Sequence, residues 1–290
     1  MNPRLIAEAG CNHMGDISIA KEMIRMAAIF CNADVIKFQK RENKELLTNE
    51  QYNAVHPNPW NSYGGTYGEH REFLEFTVDQ HKELMSTCEE FNIGYSTSVW
   101  DLTSAKGIAG INPAFIKIPS ACNNHFEMLG WLCGNYGGEI HISLGMTTQK
   151  EEEELVNLFE KERRNKDVVL YSCTSGYPVP PEDLCLLEIV RIKKAYGETV
   201  KEIGFSGHHN GIAADIAAFT LGATVFERHF TLNRTWKGTD HAASLEPDGM
   251  RRLKRDLVNV EKSLRYKANE ILEIEQAQRD KLKYRKSANV

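Results

Sequence analysis

Short apolar and β-branched runs recur along the chain at Leu5–Ala9, Val35–Phe38, Ile93–Ser96, Phe115–Ile118, Glu139–Ser143, Val168–Tyr171, Glu202–Phe205 and Thr224–Glu227. Their length and β-branched character predict strands. Between them the pattern turns helical over Ile17–Phe30, Glu69–Glu90, Gln149–Glu160, Pro181–Tyr196 and Gly211–Thr220, each opened by a polar or Pro start signal or closed by Gly or Asn. A strand about every 30 residues, each followed by a helix, implies parallel βαβ units, and eight units close a barrel. The expected fold class is α/β, a (β/α)8 TIM barrel in a single domain over residues 1–264, with Pro247–Leu264 as its last helix. Residues 265–290 are expected to form a charged C-terminal helix and basic tail. A doubly wound open sheet is the alternative, but its G-x-G-x-x-G turn after the first strand is absent. Arg41–Gly68 interrupts the rhythm as a long polar insertion, either a functional lid or interface arm or a solvated excursion.

Composition changes this picture little but excludes several function classes. At 290 residues, with 41% hydrophobic and 26% charged positions, the chain has an ordinary globular balance. A formal net charge of -5 gives no basic field to steer toward nucleic acid or an anionic membrane. Seven cysteines without a C-x-x-C pair suit reduced thiols. The chain enters a strand pattern within a few residues, so no signal peptide is expected, and Ile212–Phe226 is too short and too interrupted to span a bilayer. A cytoplasmic location is the expectation.

In a barrel, side chains at the C-terminal strand ends converge on one mouth. Polar residues collect there: Glu8, Lys37, Gln39, Thr97, Lys117, Ser120, Ser143, Ser175, Tyr177, Ser206, His208, Glu227 and His229. Lys37 and Lys117 sit inside the apolar runs Ile36–Phe38 and Ile116–Ile118, and an ammonium buried without a partner is costly. Either an anionic ligand or a Lys–Glu pair within the barrel must answer them. The hydroxyls of Thr97, Ser120, Ser143 and Ser206 suit phosphate oxygens. His208 and His229, on neighbouring strand ends with Glu227 and Asp240 nearby, suit a divalent transition ion.

The segments IAEAGCNHMGD (Ile6–Asp16), VIKFQ (Val35–Gln39), IKIPS (Ile116–Ser120), SLGM (Ser143–Met146), CTSGYP (Cys173–Pro178), GFSGHH (Gly204–His209), FERHF (Phe226–Phe230) and GTDHAASLEP (Gly238–Pro247) resemble the N-acetylneuraminate (sialic acid) synthase family. They follow the family's order from the start of the chain to about Pro247. The resemblance implies a synthase that condenses phosphoenolpyruvate with an N-acylmannosamine-type aldehyde sugar, giving a sialic-acid-like nonulosonic acid and phosphate. It implies that Lys37, Thr97, Lys117, Ser120, Ser143 and Ser206 hold the phosphate and carboxylate of phosphoenolpyruvate, with Ser175 beside them in the substrate site. It further implies that His208 and His229 bind manganese, and that Glu8, Gln39, Tyr177, Glu227 and Asp240 surround the reacting carbons and the sugar. A homo-oligomer is expected.

Three departures from the family pattern stand out. Ala121-Cys122 replaces the usual Gly-Glu, whose glutamate faces the sugar. Gly207 replaces an aspartate between Ser206 and His208, and His209 is a candidate to substitute for it. Typical members continue into a small antifreeze-like domain, whereas this chain ends at Val290, so a short form is expected. Two alternatives remain. One is a phosphoenolpyruvate aldol synthase for another aldose or a sugar phosphate, which calls for a second cationic cluster at the mouth, with Arg228 and Arg234 as candidates. The other is a non-catalytic sugar- or phosphate-binding homologue.

Overall fold

The computed structural model describes residues 2–284, so the basic end of the tail at 285–290 lies outside the described residues. Eight parallel strands close into a barrel in chain order: β1 (Arg4–Gly10), β2 (Val35–Lys40), β3 (Gly94–Val99), β4 (Phe115–Ile118), β5 (Glu139–Ser143), β6 (Val168–Cys173), β7 (Glu202–Gly207) and β8 (Val225–His229). The last seam pairs Arg4–Glu8 of β1 with Val225–His229 of β8. Because side chains alternate along a strand, each strand contributes one set to the interior and one to the helical layer. Inside, Ile6, Val35, Phe115, Val169, Tyr171 and Val225 form their own apolar cluster. Outside, residues such as Leu5, Ile36, Ile116, Ile140, Leu170 and Phe226 join the large core beneath the helices.

The motif residues around β1 are largely architectural. Asn12 donates to the Phe230 carbonyl at 2.8 Å and to Ser244 Oγ at 2.9 Å, tying the end of β1 to the segment after β8. Asp16 caps the helix Ile17–Arg25 by accepting from the Ser18 amide at 2.7 Å. His13 is buried and stacked on Phe76 with ring centroids 4.1 Å apart.

Several expected boundaries move. The run Glu69–Glu90 is two helices, Tyr67–Phe73 and Val78–Glu90. Thr77 starts the second with a capping box, its hydroxyl accepting from the Gln80 amide at 3.2 Å while the Gln80 side chain returns to the Thr77 amide at 2.9 Å. β3 begins one residue later than expected and runs three further, to Val99. The polar insertion is ordered into the short helices Asn43–Leu46 and Asn49–Asn53 and a 3-10 turn at Pro59–Asn61, and it packs over the barrel mouth. Helix Pro247–Ser263 buries Met250, Leu253 and Leu257 and completes the outer layer. Beyond it, helix Glu273–Leu282 buries no residue.

Candidate active site

The C-terminal mouth holds an inner pocket of about 310 Å³. Tyr171 lies at its base, with the Lys117 ammonium 3.9 Å from the ring centroid. Lys37 pairs with Glu8 and donates to Ser98 Oγ at 2.5 Å. Lys117 donates to Glu227 Oε2 at 2.9 Å, while Ser206 Oγ donates to Glu227 Oε1 at 3.1 Å. Gln39 completes the ring by donating to Glu8 Oε1 at 2.9 Å. Both lysines therefore have glutamate partners, which answers the cost of burying them without any ligand. Burial holds Glu8 above the ordinary carboxylate range despite Lys37. Burial also acts to raise Glu227, but Lys117 and Lys37 outweigh it and hold that carboxyl below its ordinary range. Burial pushes the Lys117 ammonium down, against the pull of Glu227. Two carboxyls a strand apart are thus driven in opposite directions by their surroundings.

Loops after β4, β5 and β6 close the other wall, where Ser120, Ser143 and Ser175 line the pocket. The Gly145 amide donates to Ser120 Oγ at 3.0 Å. A Cβ at Gly145 would lie 2.4 Å from Ser175 Oγ and 2.6 Å from Ser120 Oγ, so only glycine lets the three loops converge here.

His208 and His229 face each other across the pocket with ring centroids 5.5 Å apart. The Thr174 carbonyl, 3.0 Å from His208 Nδ1, can only accept, so Nδ1 carries the proton and Nε2 is left free. Burial and the neighbouring His229 lower His208 to about 4, which keeps the ring neutral. His229 Nδ1 is buried without a hydrogen-bond partner, with Asp240 Oδ2 3.9 Å away. Tyr177 packs against both imidazoles, at 4.3 Å and 5.7 Å between centroids. Among the described residues, no group of three or more His, Cys, Asp or Glu side chains stands close enough to form a metal cage by itself.

A second cavity of about 390 Å³ continues outward from the first, sharing Gln39, Trp100, Tyr177 and His229. Its outer wall comes from the insertion and the helix Tyr67–Phe73 that follows it: Arg41, His56, Asn58, Tyr67, His70 and Arg71, with Asp240 on the His229 side.

Four expectations are corrected. Thr97 does not face the pocket: its hydroxyl is buried at 2.6 Å from Tyr95 OH on the helix side, and Ser98, one residue on, takes the inward place. His209 does not join His208, because its Nε2 lies 3.1 Å from Arg228 Nη1 and 3.2 Å from Asp215 Oδ2 behind the strand. A Cβ at Gly207 would come within 2.8 Å of the His209 ring, so the outward histidine and the missing aspartate go together. Arg228 is likewise consumed by Asp215, and Arg234 donates to the Ala242 carbonyl, outside both cavities. Cys122 is buried with its Sγ 3.7 Å from the Val99 carbonyl, so position 122 does not face the sugar side, and Ala121 lines the pocket instead. Residues unforeseen from the sequence are Ser98, Trp100, Cys173, Arg41 and Arg71.

A closed eight-stranded barrel with buried acid–base pairs and a two-part cavity at its C-terminal mouth is a (β/α)8-barrel enzyme. The chain belongs to the NeuB family, whose model matches residues 23–269. It is 39% identical over 283 residues to the N-acetylneuraminate-9-phosphate synthase of Homo sapiens, covering 96% of this chain and 76% of that protein. It is 31% identical to the N,N'-diacetyllegionaminic acid synthase of Campylobacter jejuni, over 90% of this chain and 77% of that one. Among solved structures, N-acetylneuraminic acid (sialic acid) synthetase from Leptospira borgpetersenii superposes with a TM-score of 0.81 at 26% identity, covering 98% of this chain and 94% of that one. Among the described residues no helix is long and apolar enough to cross a membrane.

Proposed function

We propose that the chain condenses phosphoenolpyruvate with an N-acylmannosamine-type aldehyde sugar, forming a sialic-acid-like nonulosonic acid and inorganic phosphate. The observation that carries this reading is the pairing of an inner pocket holding two lysines with an outer cavity open to it, which gives room for two reactants end to end. In the inner pocket Lys37, Lys117, Ser120, Ser143, Ser175 and Ser206 hold the phosphate and carboxylate of phosphoenolpyruvate. The lysines exchange part of their glutamate contacts for these anions. Gln39, Tyr177 and Asp240 orient the sugar with its aldehyde toward the phosphoenolpyruvate C3.

A carbon–carbon bond forms from C3 to the aldehyde carbon, and the aldehyde oxygen takes a proton. Water adds at C2, and the C2–O bond then breaks to release phosphate. Glu8 and Glu227 carry the protons, one delivering and the other withdrawing from the attacking water. The imidazoles of His208 and His229, one with a free Nε2 and the other with an orphaned Nδ1, fit a divalent ion such as manganese, which when bound would supply Lewis-acid polarisation of the aldehyde. The reading carries a cytoplasmic enzyme with small-molecule partners, no nucleic acid or membrane among them, acting as a homo-oligomer, with residues 1–264 as its synthase domain.

The test is phosphate release from phosphoenolpyruvate with manganese, comparing N-acetylmannosamine, its diamino-dideoxy analogues and mannose. Sugar-dependent release that disappears in His208→Ala supports the synthase. Retained phosphoenolpyruvate binding without release for any acceptor, phosphorylated or not, would overturn it in favour of a non-catalytic homologue.

A further inference from the structure

We propose that Tyr171 is a positioning residue: the face of its ring, under the inner pocket, holds the Lys117 ammonium in place while an incoming anion displaces Glu227. This deepens the synthase reading and rests on it for the identity of that anion, phosphoenolpyruvate. The two pocket lysines show what such a holder is for. Lys37 pairs with Glu8 and also donates to a neutral group, Ser98 Oγ, at 2.5 Å. Lys117 donates to Glu227 at 2.9 Å and, among the described residues, to no hydroxyl or carbonyl that would take the part of Ser98. In its place stands the Tyr171 ring, with the ammonium 3.9 Å from the centroid. A carboxylate neutralises an ammonium and competes with any anion that approaches it. A ring face does neither, yet its quadrupole attracts the cation. Each lysine thus has a charged partner to give up and a neutral one to keep.

The ring is built to stay where it is. Tyr171 is fully buried and grouped with Ile6, Val35, Phe115, Val169 and Val225 inside the barrel. Its register partner on β7 is Gly204. A Cβ at that glycine would lie 2.6 Å from Tyr171 Cδ1 and 2.7 Å from Cε1, so only glycine there leaves the ring its place. From below, the hydroxyl is 2.7 Å from His141 Nδ1, and His141 Nε2 is 3.0 Å from Glu139 Oε2. Burial lowers His141 to about 3, so the imidazole is neutral and carries one proton. Burial would raise Glu139, but His141, Lys201 and Arg4 outweigh it and keep the carboxylate an acceptor. The imidazole proton therefore sits on Nε2, and Nδ1 receives the phenol O–H. That donation leaves more electron density on the ring facing Lys117.

The rest of the molecule supplies the comparison. Lys237 over Tyr63, at 4.6 Å, is a longer contact and lies at the surface, where water competes for the cation. Lys106 over Trp131 stands farther still, at 5.9 Å. Lys117 and Tyr171 are both shut off from water, the condition in which a ring holds a cation best. Without the ring, the ammonium is free to settle onto both oxygens of Glu227, and phosphoenolpyruvate then has to break a tighter pair.

The experiment titrates phosphoenolpyruvate calorimetrically into the full chain without acceptor, for the wild type, Tyr171→Phe, Tyr171→Leu and a variant carrying pentafluorophenylalanine at position 171. Tyr171→Phe keeps the ring and should retain affinity within about threefold of wild type. Pentafluorophenylalanine keeps the shape but removes the negative face, so its Kd should be about tenfold above that of Tyr171→Phe. Tyr171→Leu should lose as much, and in turnover the change should fall on KM for phosphoenolpyruvate, with KM for the sugar within about twofold. In a Lys117→Met background, Tyr171→Leu should change binding by less than about twofold. A ring that only fills space gives equal affinity in Tyr171→Phe and the fluorinated variant, and the same Tyr171→Leu loss with or without Lys117. Either result overturns the proposal. Wild-type protein that binds phosphoenolpyruvate but consumes no acceptor loses the synthase reading, while the binding comparisons still decide this one. Wild-type protein that binds none rejects both.

Discussion

The two ends of the barrel both carry buried charge, but they handle it differently. At the N-terminal end Glu139 is surrounded: Arg4 at 3.1 Å, Lys201 at 2.9 Å and His141 Nε2 at 3.0 Å all donate to it. Arg4 also reaches Glu202 at 3.4 Å, and Thr224 donates to Glu202 at 2.7 Å. These charges seal the barrel against itself. At the C-terminal end the pairs Lys37–Glu8 and Lys117–Glu227, linked to Ser98, Gln39 and Ser206, border an open cavity. A saturated cluster stabilises, whereas one bordering a void is available to exchange partners with a ligand. Tyr171 separates the two, its hydroxyl 2.7 Å from His141 Nδ1 below and its ring under Lys117 above.

The largest expected contrast comes from removing one cation at each end. Lys117→Met should lower kcat by about 10³-fold or more, because it removes a cation proposed above to hold phosphoenolpyruvate. It should also destabilise by about 3 kcal/mol, since buried Glu227 loses its nearest cation and keeps only Ser206 and the more distant Lys37. The double variant Lys117→Met/Glu227→Gln should recover most of that stability and none of the activity, as read by urea unfolding beside phosphate release. If the double variant regains turnover, the pair is architectural and the two ends do not differ in kind.

Arg4→Met is the counterpart. Several hydrogen bonds to partly buried carboxylates go, so a loss of about 1–3 kcal/mol is expected, with kcat/KM per folded molecule within about twofold of wild type. A tenfold fall in kcat would show that the sealed end is coupled to the chemistry.

A smaller effect is a pH dependence that also belongs to the sealed end. Burial lowers His141 from its ordinary 6.5 to about 3. The unfolded chain therefore takes up this proton first as pH falls, and the stability associated with neutral His141 is complete above pH 6.5 and drains away toward pH 3. The slope is at most about 1.4 kcal/mol per pH unit for this group. Glu139 adds to it only later. Burial opposes its ionisation, but His141, Lys201 and Arg4 win and hold the carboxyl below its ordinary 4.5, so its contribution is lost only under that pH. Unfolding of His141→Gln between pH 6 and 5 should thus show a shallower slope than wild type, and parallel slopes would reject the assignment.

How far the sequence reached is clear from particular residues. Lys37 and Lys117 were legible because a cation inside an apolar run has few places to go, and the strand period turns both inward. The same period misled at Thr97. With β3 expected to end at Ser96, the following threonine looked like a pocket residue, whereas the strand continues to Val99 and the inward side chain is Ser98. Arg71 was not legible at all. It falls in the run Glu69–Glu90, expected as one long helix, and its contacts with Trp100 and Asn43 are tertiary facts. His209 and Arg228 failed for a related reason: adjacency in sequence to His208 and Glu227 places a strand neighbour on the opposite face.

The smallest expected effect tests position 122, where the family pattern asks for a glutamate at the sugar. Cys122 is buried, with its sulfur against the carbonyls of Val99 and Pro119 at 3.7 Å and 3.8 Å. Cys122→Ala should therefore cost about 1 kcal/mol of stability from lost packing and leave kcat/KM for any acceptor within about twofold. Cys122→Glu should destabilise by several-fold more, since a carboxylate here is driven into the wall between β3 and β4, against two carbonyls and beside Asp101. An acceptor preference altered in Cys122→Ala would mean that this residue does reach the sugar in the working enzyme. It would also place part of acceptor selection in the loop after β4.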